Sequence, residues 1–297
     1  MAAPAIARPL EPAAARGAAP RAPVRLGRLL RGHLAKVGLA VLAALVVAAA
    51  LAPYLAPYDP VEQRLEQMLE RPGRAYLLGT DDLGRDILSR LVYGARVSLL
   101  VGLLSVGISL VAGVSLGLVA GYRGGWLDEV IMRAMDGLLA FPALVLALAI
   151  TAALGPNLRN AMIAIGVVGI PGFARLVRGQ VLSLRAQEFV EAARAGGLGD
   201  ARIVLRHIVP GTLAPLIVHA SLRVAFAVLA EAGLSFLGLG VQPPTPSWGA
   251  MLSAGREYLE TAPWLCMAPG AAIFVTTLSF NFVGDGLRDA FDPRLRS

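Results

Sequence analysis

Cysteine is nearly missing from this chain. Cys266 stands alone among 297 residues, which excludes an internal disulfide and any thiolate metal cluster. Lysine is as scarce. The single one, Lys36, follows Leu34 and Ala35, so no Gly-x-x-x-x-Gly-Lys loop is present to grip a nucleotide phosphate. Three histidines, His33, His207 and His219, lie far apart and form no His-Glu-x-x-His pair. Catalytic chemistry has little to stand on, and if ATP drives this protein a separate subunit must hydrolyse it. Charge is also thin, at 16% of residues.

Apolar sequence fills the space. It makes up 56% of the chain, and the mean hydropathy is +0.66, far from the soluble average. Six runs, at 37–55, 97–120, 135–154, 158–176, 213–234 and 268–284, are long enough, or nearly so, to cross about 30 Å of hydrocarbon as helices. A soluble helical protein would have to hide almost all of them in one core. The reading is an all-α membrane protein of six transmembrane helices.

The basic residues then orient it. Eighteen of the 27 Lys and Arg fall on one side of that topology, eight on the other, and Arg223 lies within a span. Six of the eight sit in the 56–96 loop, where seven acids offset them. Positive-inside counting places both termini, and the segment 189–210, in the cytoplasm. The pI near 10.3 invites a nucleic-acid reading. The arginines follow loop topology instead of forming a basic face with stacking aromatics, so no nucleic-acid partner is expected.

Three regions follow: a disordered cytoplasmic tail at 1–25, an anchor helix with an external loop at 26–96, and a core transmembrane domain at 97–297. The tail is rich in Ala, Pro and Arg without periodicity. Residues 48–52 resemble a signal cleavage site, but the apolar run exceeds a usual signal core and reads as an uncleaved anchor.

Within the spans, Gly113, Gly117 and Gly121 recur every four residues, a stripe that lets helix backbones approach closely. It serves either a subunit interface or the chain's own bundle. Pro142 and Pro171 are candidate hinges, since each removes a backbone donor and crowds the preceding turn. Charges at membrane depth are few. His219 and Arg223 share a helix face, and Glu231 lies towards the outer end of the same span. These three are candidate pathway residues; Arg223 reads as facing an aqueous cavity, with a structural ion pair or snorkelling as alternatives. No span carries a clear mid-span carboxylate of the kind a proton-coupled carrier uses.

Both outer loops look ordered. Residues 62–70 have Leu65, Met68 and Leu69 on one face, consistent with a short interfacial helix. Thr80 and Asp81 read as a helix start before a periodic run through Ile87, Leu88 and Leu91. The loop 237–264 holds Pro243, Pro244 and Pro246 with Trp248 and Trp264, which suits a rigid external cap with interfacial tryptophans.

The most telling stretch is 189–210, FVEAARAGGLGDARIVLRHIVP. Glu191-Ala192-Ala193 favours helix, Gly196 and Gly197 break it, and a second amphipathic run from 200 to 208 ends at Pro210. A polar knuckle between apolar spans is a unit that a cytoplasmic partner can push.

Together these pieces resemble one family. The chain is similar to permease subunits of the peptide/nickel class of ABC importers, most of all the C-type partner of dipeptide and oligopeptide systems. The resemblance rests on Glu191-Ala192-Ala193 with Gly197 and Pro210, the family's EAA loop. It rests also on Gly79-Thr80-Asp81-Asp82-Leu83-Gly84-Arg85-Asp86, on Ala174-Arg175-Leu176-Val177-Arg178, on LSFLGLGVQPPTPSWG at 234–249 and on NFVGDGLRDAFDPRL at 281–295. It covers the chain in order from about residue 26 onward. Departures are small: Gly196 for a bulkier apolar residue, Val209 for Leu, and Ile170 and Phe173 for a Trp and a Tyr.

The resemblance implies an importer-type ABC permease bundle in the bacterial inner membrane. A homologous permease subunit would complete the pathway, and two cytoplasmic ATPase subunits would bind the ATP, so this chain needs no cofactor. An extracytoplasmic binding protein would deliver di- or oligopeptides, or related solutes such as nickel chelates. Glu191 would supply charge, Ala192 and Ala193 close approach, and Gly197 the turn that seats the knuckle on an ATPase. A secondary transporter driven by an ion gradient is the alternative.

Overall fold

A chain crossing lipid must satisfy its backbone hydrogen bonds internally, and a helix does so within one segment. The computed structural model describes residues 32–291. Among the described residues the sole β-pairing is an isolated bridge between Thr80 and Asp86. The first six helices are α1 (His33–Ala50), α2 (Ala52–Leu55), α3 (Ile87–Arg123), α4 (Gly125–Leu139), α5 (Ala143–Leu154) and α6 (Leu158–Arg185). After them come α7 (Glu188–Ala195), α8 (Asp200–Ile203), α9 (Val209–Phe236), α10 (Trp248–Gly255) and α11 (Trp264–Phe291). The tail at 1–25 and the last residues of the 281–295 motif lie outside the described residues.

Among the described residues five helical stretches are long and apolar enough to span a membrane: α1, α3, α6, the run Asp200–Phe236 and α11. The expected third span departs from expectation. It is broken into α4 and α5, which meet at 92°. Pro142 is the N-cap of α5. It has no N–H to continue a helix from α4, and its ring pushes Phe141 out of helical geometry. Counting the bent pair as one span gives six.

The glycine stripe settles the central packing. A Cβ at Gly117 would stand 2.5 Å from the Ala174 carbonyl oxygen, one at Gly113 2.5 Å from Phe173 Cβ, and one at Gly121 2.8 Å from Val181 Cβ. The stripe therefore faces the chain's own α6, not another subunit. Hydroxyls reinforce the contact: Ser105 donates to the Met162 carbonyl at 3.1 Å and Ser109 to that of Gly166 at 2.6 Å. Around this pair, α9 packs on α3 and α6, α11 lies on α9, and α1 lies on α11. In α1 only Ala35, Gly38 and Ala49 are buried, so most of its surface is not covered by the rest of the chain.

The loop between α2 and α3 is tied to itself. Arg64 N–H donates to Leu83 O, Leu69 N–H to Asp81 O and Thr80 N–H to Glu70 O, at 3.0–3.1 Å. These bonds commit the backbone that a helix over 62–70 would need, and only a 3-10 turn at Leu65–Gln67 forms. The helix-start reading at Thr80 and Asp81 is also corrected. Asp86 is the N-cap of α3, accepting from Ser89 N–H at 2.8 Å. Asp81 instead accepts from Arg85 Nε at 2.7 Å and lies 3.4 Å from Arg90 Nε, a buried knot of three charges. Trp248, expected at an interface, is in the core: it is 1% exposed, and its indole N–H donates to Leu91 O at 2.9 Å. That bond pins α10 to α3.

Candidate functional site

The segment 188–199 forms a short helix and a turn, and from Asp200 the chain runs helically into α9. α7 carries Glu188 and Glu191 in its first turn and Arg194 in its last, each sign placed to suit the helix dipole. Val190, 1% exposed, is its plug into the core, while Ala193 and Leu198 pack against that core from the rim. Glu191 and Ala192 face outward. Gly197 closes the helix with φ +78°, its N–H donating to Arg194 O at 3.0 Å and that of Leu198 to Ala193 O at 3.2 Å. This is a Schellman cap, in which a left-handed residue lets two orphan carbonyls be satisfied. Space around Gly197 is open, so backbone conformation and not crowding demands glycine there.

Pro210 is separate from that cluster, and it does not stop the second run. The chain stays helical from Asp200 to Phe236. A π-helical turn at Val204–Ile208, with Val209 N–H bonded to Val204 O, absorbs the mismatch just before the proline. Widening the helix by one residue avoids the clash a proline ring makes with the carbonyl four residues back.

The candidate pathway residues split. His219 and Arg223 on α9 face α6 where glycines leave room: His219 Nε2 would lie 3.2 Å from a Cβ at Gly172, and Arg223 Nη2 3.1 Å from one at Gly169. His219 meets the Phe173 ring edge-on at 4.8 Å, and the Arg223 guanidinium lies over Phe226 at 4.8 Å. Among the described residues no carboxylate pairs with Arg223, so the ion-pair alternative is absent here. His219 also borders a cavity of about 400 Å³ with Pro215, Leu222 and Arg288. Glu231, two turns further on, is wholly buried; it accepts from Ser235 Oγ at 2.7 Å and Ser98 Oγ at 3.3 Å. Pro142 marks the break between α4 and α5, whereas Pro171 is buried inside an unbroken α6.

One contact escaped sequence reasoning. Tyr122, at the C-terminal end of α3, donates its hydroxyl hydrogen to Asp200 Oδ1 at 2.6 Å and accepts from Arg194 Nη2 at 3.4 Å. Arg194 and Asp200 lie on either side of the Gly197 turn. A lone tyrosine at the end of an apolar run reads as an interfacial belt residue, and nothing in the sequence links it to position 200.

Among the described residues no group of three or more His, Cys, Asp or Glu is arranged to hold a metal ion. A Gly-x-Ser-x-Gly run does occur at 113–117, but it lies inside α3 with Ser115 Oγ donating to Val111 O at 2.8 Å, so it forms no strand-to-helix elbow.

Residues 113–297 match the family described as binding-protein-dependent transport system inner membrane component. Residues 25–72 match the N-terminal TM domain of oligopeptide transport permease C. The chain is 48% identical to a dipeptide transport system permease protein DppC of Alkalihalophilus pseudofirmus, over 91% of this chain and 89% of the relative. It is 45% identical to a glutathione transport system permease protein GsiD of Pectobacterium atrosepticum, over 91% and 90%. A di/tripeptide transport system permease protein DppC of Pseudomonas aeruginosa is 50% identical over 77% and 76%. Among solved structures, a chain of the inward-facing MetNI methionine ABC transporter shares the fold, with TM-score 0.57, 21% identity and coverage of 69% of this chain and 98% of that one.

Proposed function

The chain belongs to the family of binding-protein-dependent transport system inner membrane components, and from that premise we propose that it is the transmembrane permease subunit of an ATP-driven importer of di- and oligopeptides or related solutes. The observation that carries the mechanism is the α7 knuckle, an exposed Glu191–Ala192 surface on a short helix rigidly capped at Gly197. Lys36 is the single lysine and belongs to no phosphate loop, so hydrolysis falls to two separate ATPase subunits. Closure of those subunits around ATP moves the knuckle and, through it, the helices, a rigid-body form of alternating access. A homologous permease completes the pathway, and an extracytoplasmic binding protein delivers the cargo. Positive-inside counting puts both termini and the knuckle in the cytoplasm. The relatives named above are permeases for dipeptides, di/tripeptides and glutathione, which favours short peptides as cargo.

The test is to purify the chain with its partners and measure ATPase activity in vesicles, with and without Gly197→Val. A β-branched residue at φ +78° is strained, so the variant disrupts the cap without touching a span. An ATPase that co-purifies, and whose stimulation by loaded binding protein is lost in the variant, supports the reading. Uptake driven by an ion gradient with no ATPase attached would replace it with a secondary carrier.

A further inference from the structure

The knuckle is useful only if its displacement reaches the spans, and α7 has little else to pull on. Val190 is its single fully buried side chain. Covalently it continues into α6 through Ala186–Gln187 and into α9 through α8 and the π-helical turn. α3 is the helix that shares its glycine stripe with α6, and it has no covalent link nearby. Tyr122 of α3 reaches both arms of the knuckle by hydrogen bonds. Its ring packs against the core, and its hydroxyl sits between Arg194 of α7 and Asp200 of α8. At the same junction, Arg185 Nη1 donates to the carbonyl of Gly121 at 2.9 Å and to that of Tyr122 itself at 3.3 Å, holding the end of α3 to the end of α6. Beside the phenol lies an open groove of about 490 Å³, lined by Leu118, Arg123, Asp200, Val204 and Leu205. Across this groove the Tyr122–Asp200 hydrogen bond ties α8 to α3, while Ile203, wholly buried, anchors α8 in the core.

We propose that Tyr122 is the positioning residue that couples the knuckle to α3: its hydroxyl, held by Asp200 and Arg194, makes the turn and the end of α3 move as one body when the ATPases close. The proposal rests on the reading of α7 as the ATPase-docking element. Its chemistry is specific. Tyr122→Phe keeps the ring and removes only the bridge. Asp200→Asn keeps an acceptor oxygen for the phenol, whereas Asp200→Ala does not.

The experiment uses the assembled complex in lipid, with Cys266→Ser and spin labels at Ser115→Cys on α3 and Arg202→Cys on α8, both at exposed positions. The label-to-label distance is measured without nucleotide and with ATP plus vanadate. With Tyr122 present, the distance is expected to stay the same in both states, because the two elements move together. With Tyr122→Phe it shifts or broadens on ATP binding, and ATP hydrolysed per Ala-Ala dipeptide taken up rises on the order of fivefold, the scale of one lost hydrogen bond. Asp200→Ala reproduces the effect, Asp200→Asn restores most of the wild-type behaviour, and the Tyr122→Phe/Asp200→Ala pair is no worse than either alone. Thermal stability unchanged across the set separates coupling from misfolding. Identical distances and ratios in Tyr122→Phe, while Gly197→Val still uncouples, would overturn the clamp and leave the importer intact. A complex without any ATPase, unmoved by nucleotide, would overturn both.

Discussion

Arg178 grips Asp128 with both arms of its guanidinium, Nε donating to Oδ1 at 2.6 Å and Nη2 to Oδ2 at 2.7 Å. The pair holds the start of α4 against α6, and Arg175 with Asp136 repeats the tie two helical turns along α4, just before the 92° break. Ion pairs that water still reaches are weak, so Asp128→Ala is expected to cost only about 1 kcal/mol. Geometry makes the pair selective even so. Arg178→Lys keeps the charge but loses the fork and is expected to behave like Asp128→Ala, while the exchanged pair Asp128→Arg/Arg178→Asp recovers part of the loss. Thermal unfolding of the purified complex reads all three.

Two glycines of α3 separate close packing from helix propensity. At Gly117 a methyl group would run into the Ala174 backbone at 2.5 Å, which no rotamer change relieves; at Gly107 nothing lies within 4 Å. Gly117→Ala is therefore expected to destabilise by about 1–3 kcal/mol through overpacking. Gly107→Ala should be neutral or gain up to about 1 kcal/mol from helix propensity. Equal melting temperatures for the two variants would contradict the close α3–α6 approach.

The loop between α2 and α3 contains a pair of neighbouring aspartates with opposite roles. Asp81 neutralises two buried arginines, so Asp81→Ala strands them and is expected to cost about 3–5 kcal/mol. Asp82 is pushed upward from the ordinary carboxylate range, first by burial and then by the charge of Asp81, and its Oδ1 has no hydrogen-bond partner. A carboxyl raised in the folded state holds its proton more tightly there than in the unfolded chain. That contribution is full below the unfolded value, about 4, and disappears as pH rises through the folded one. At neutral pH Asp82→Asn should therefore stabilise the loop or leave it unchanged. A melting temperature that falls as far for Asp82→Asn as for Asp81→Ala would refute the distinction.

The legible and illegible parts of this chain divide by sequence distance. Runs such as 97–120 and 158–176 announced α3 and α6 because lipid leaves an apolar run no other way to satisfy its backbone. The glycine spacing announced a close contact, though not its partner, since a stripe reads the same whether it meets α6 or a second subunit. Local turn chemistry misled twice. Thr80 and Asp81 look like a cap, but the loop folds back so that Asp86 does the capping. Pro210 looks like a stop, but a π-helical turn carries the helix past it. Trp248 bonding to Leu91, and Tyr122 to Asp200, 157 and 78 residues apart, are consequences of tertiary packing that no local pattern encodes.

Arg223 and Glu231 lie about 12 Å apart along α9, by helical rise, yet they should fail in different ways. Arg223 has no carboxylate partner among the described residues; its guanidinium rests on Phe226 and points at the gap left by Gly169. A lone cation at membrane depth is costly, and the cost is recovered if it meets an anionic group of the cargo, such as a peptide carboxylate. Arg223→Met keeps an apolar stem over Phe226 and removes the charge. It is expected to raise the KM for Ala-Ala uptake about tenfold, the scale of one charged hydrogen bond, with melting unchanged. Glu231 is instead enclosed by Ser98 and Ser235. Glu231→Leu should leave both hydroxyls short of a partner and lower stability by about 1–3 kcal/mol, with KM unaffected in the molecules that fold. The two measurements together are decisive: if Arg223→Met lowers the melting temperature while KM stays put, Arg223 is a packing residue and the carboxylate reading of the pathway is wrong.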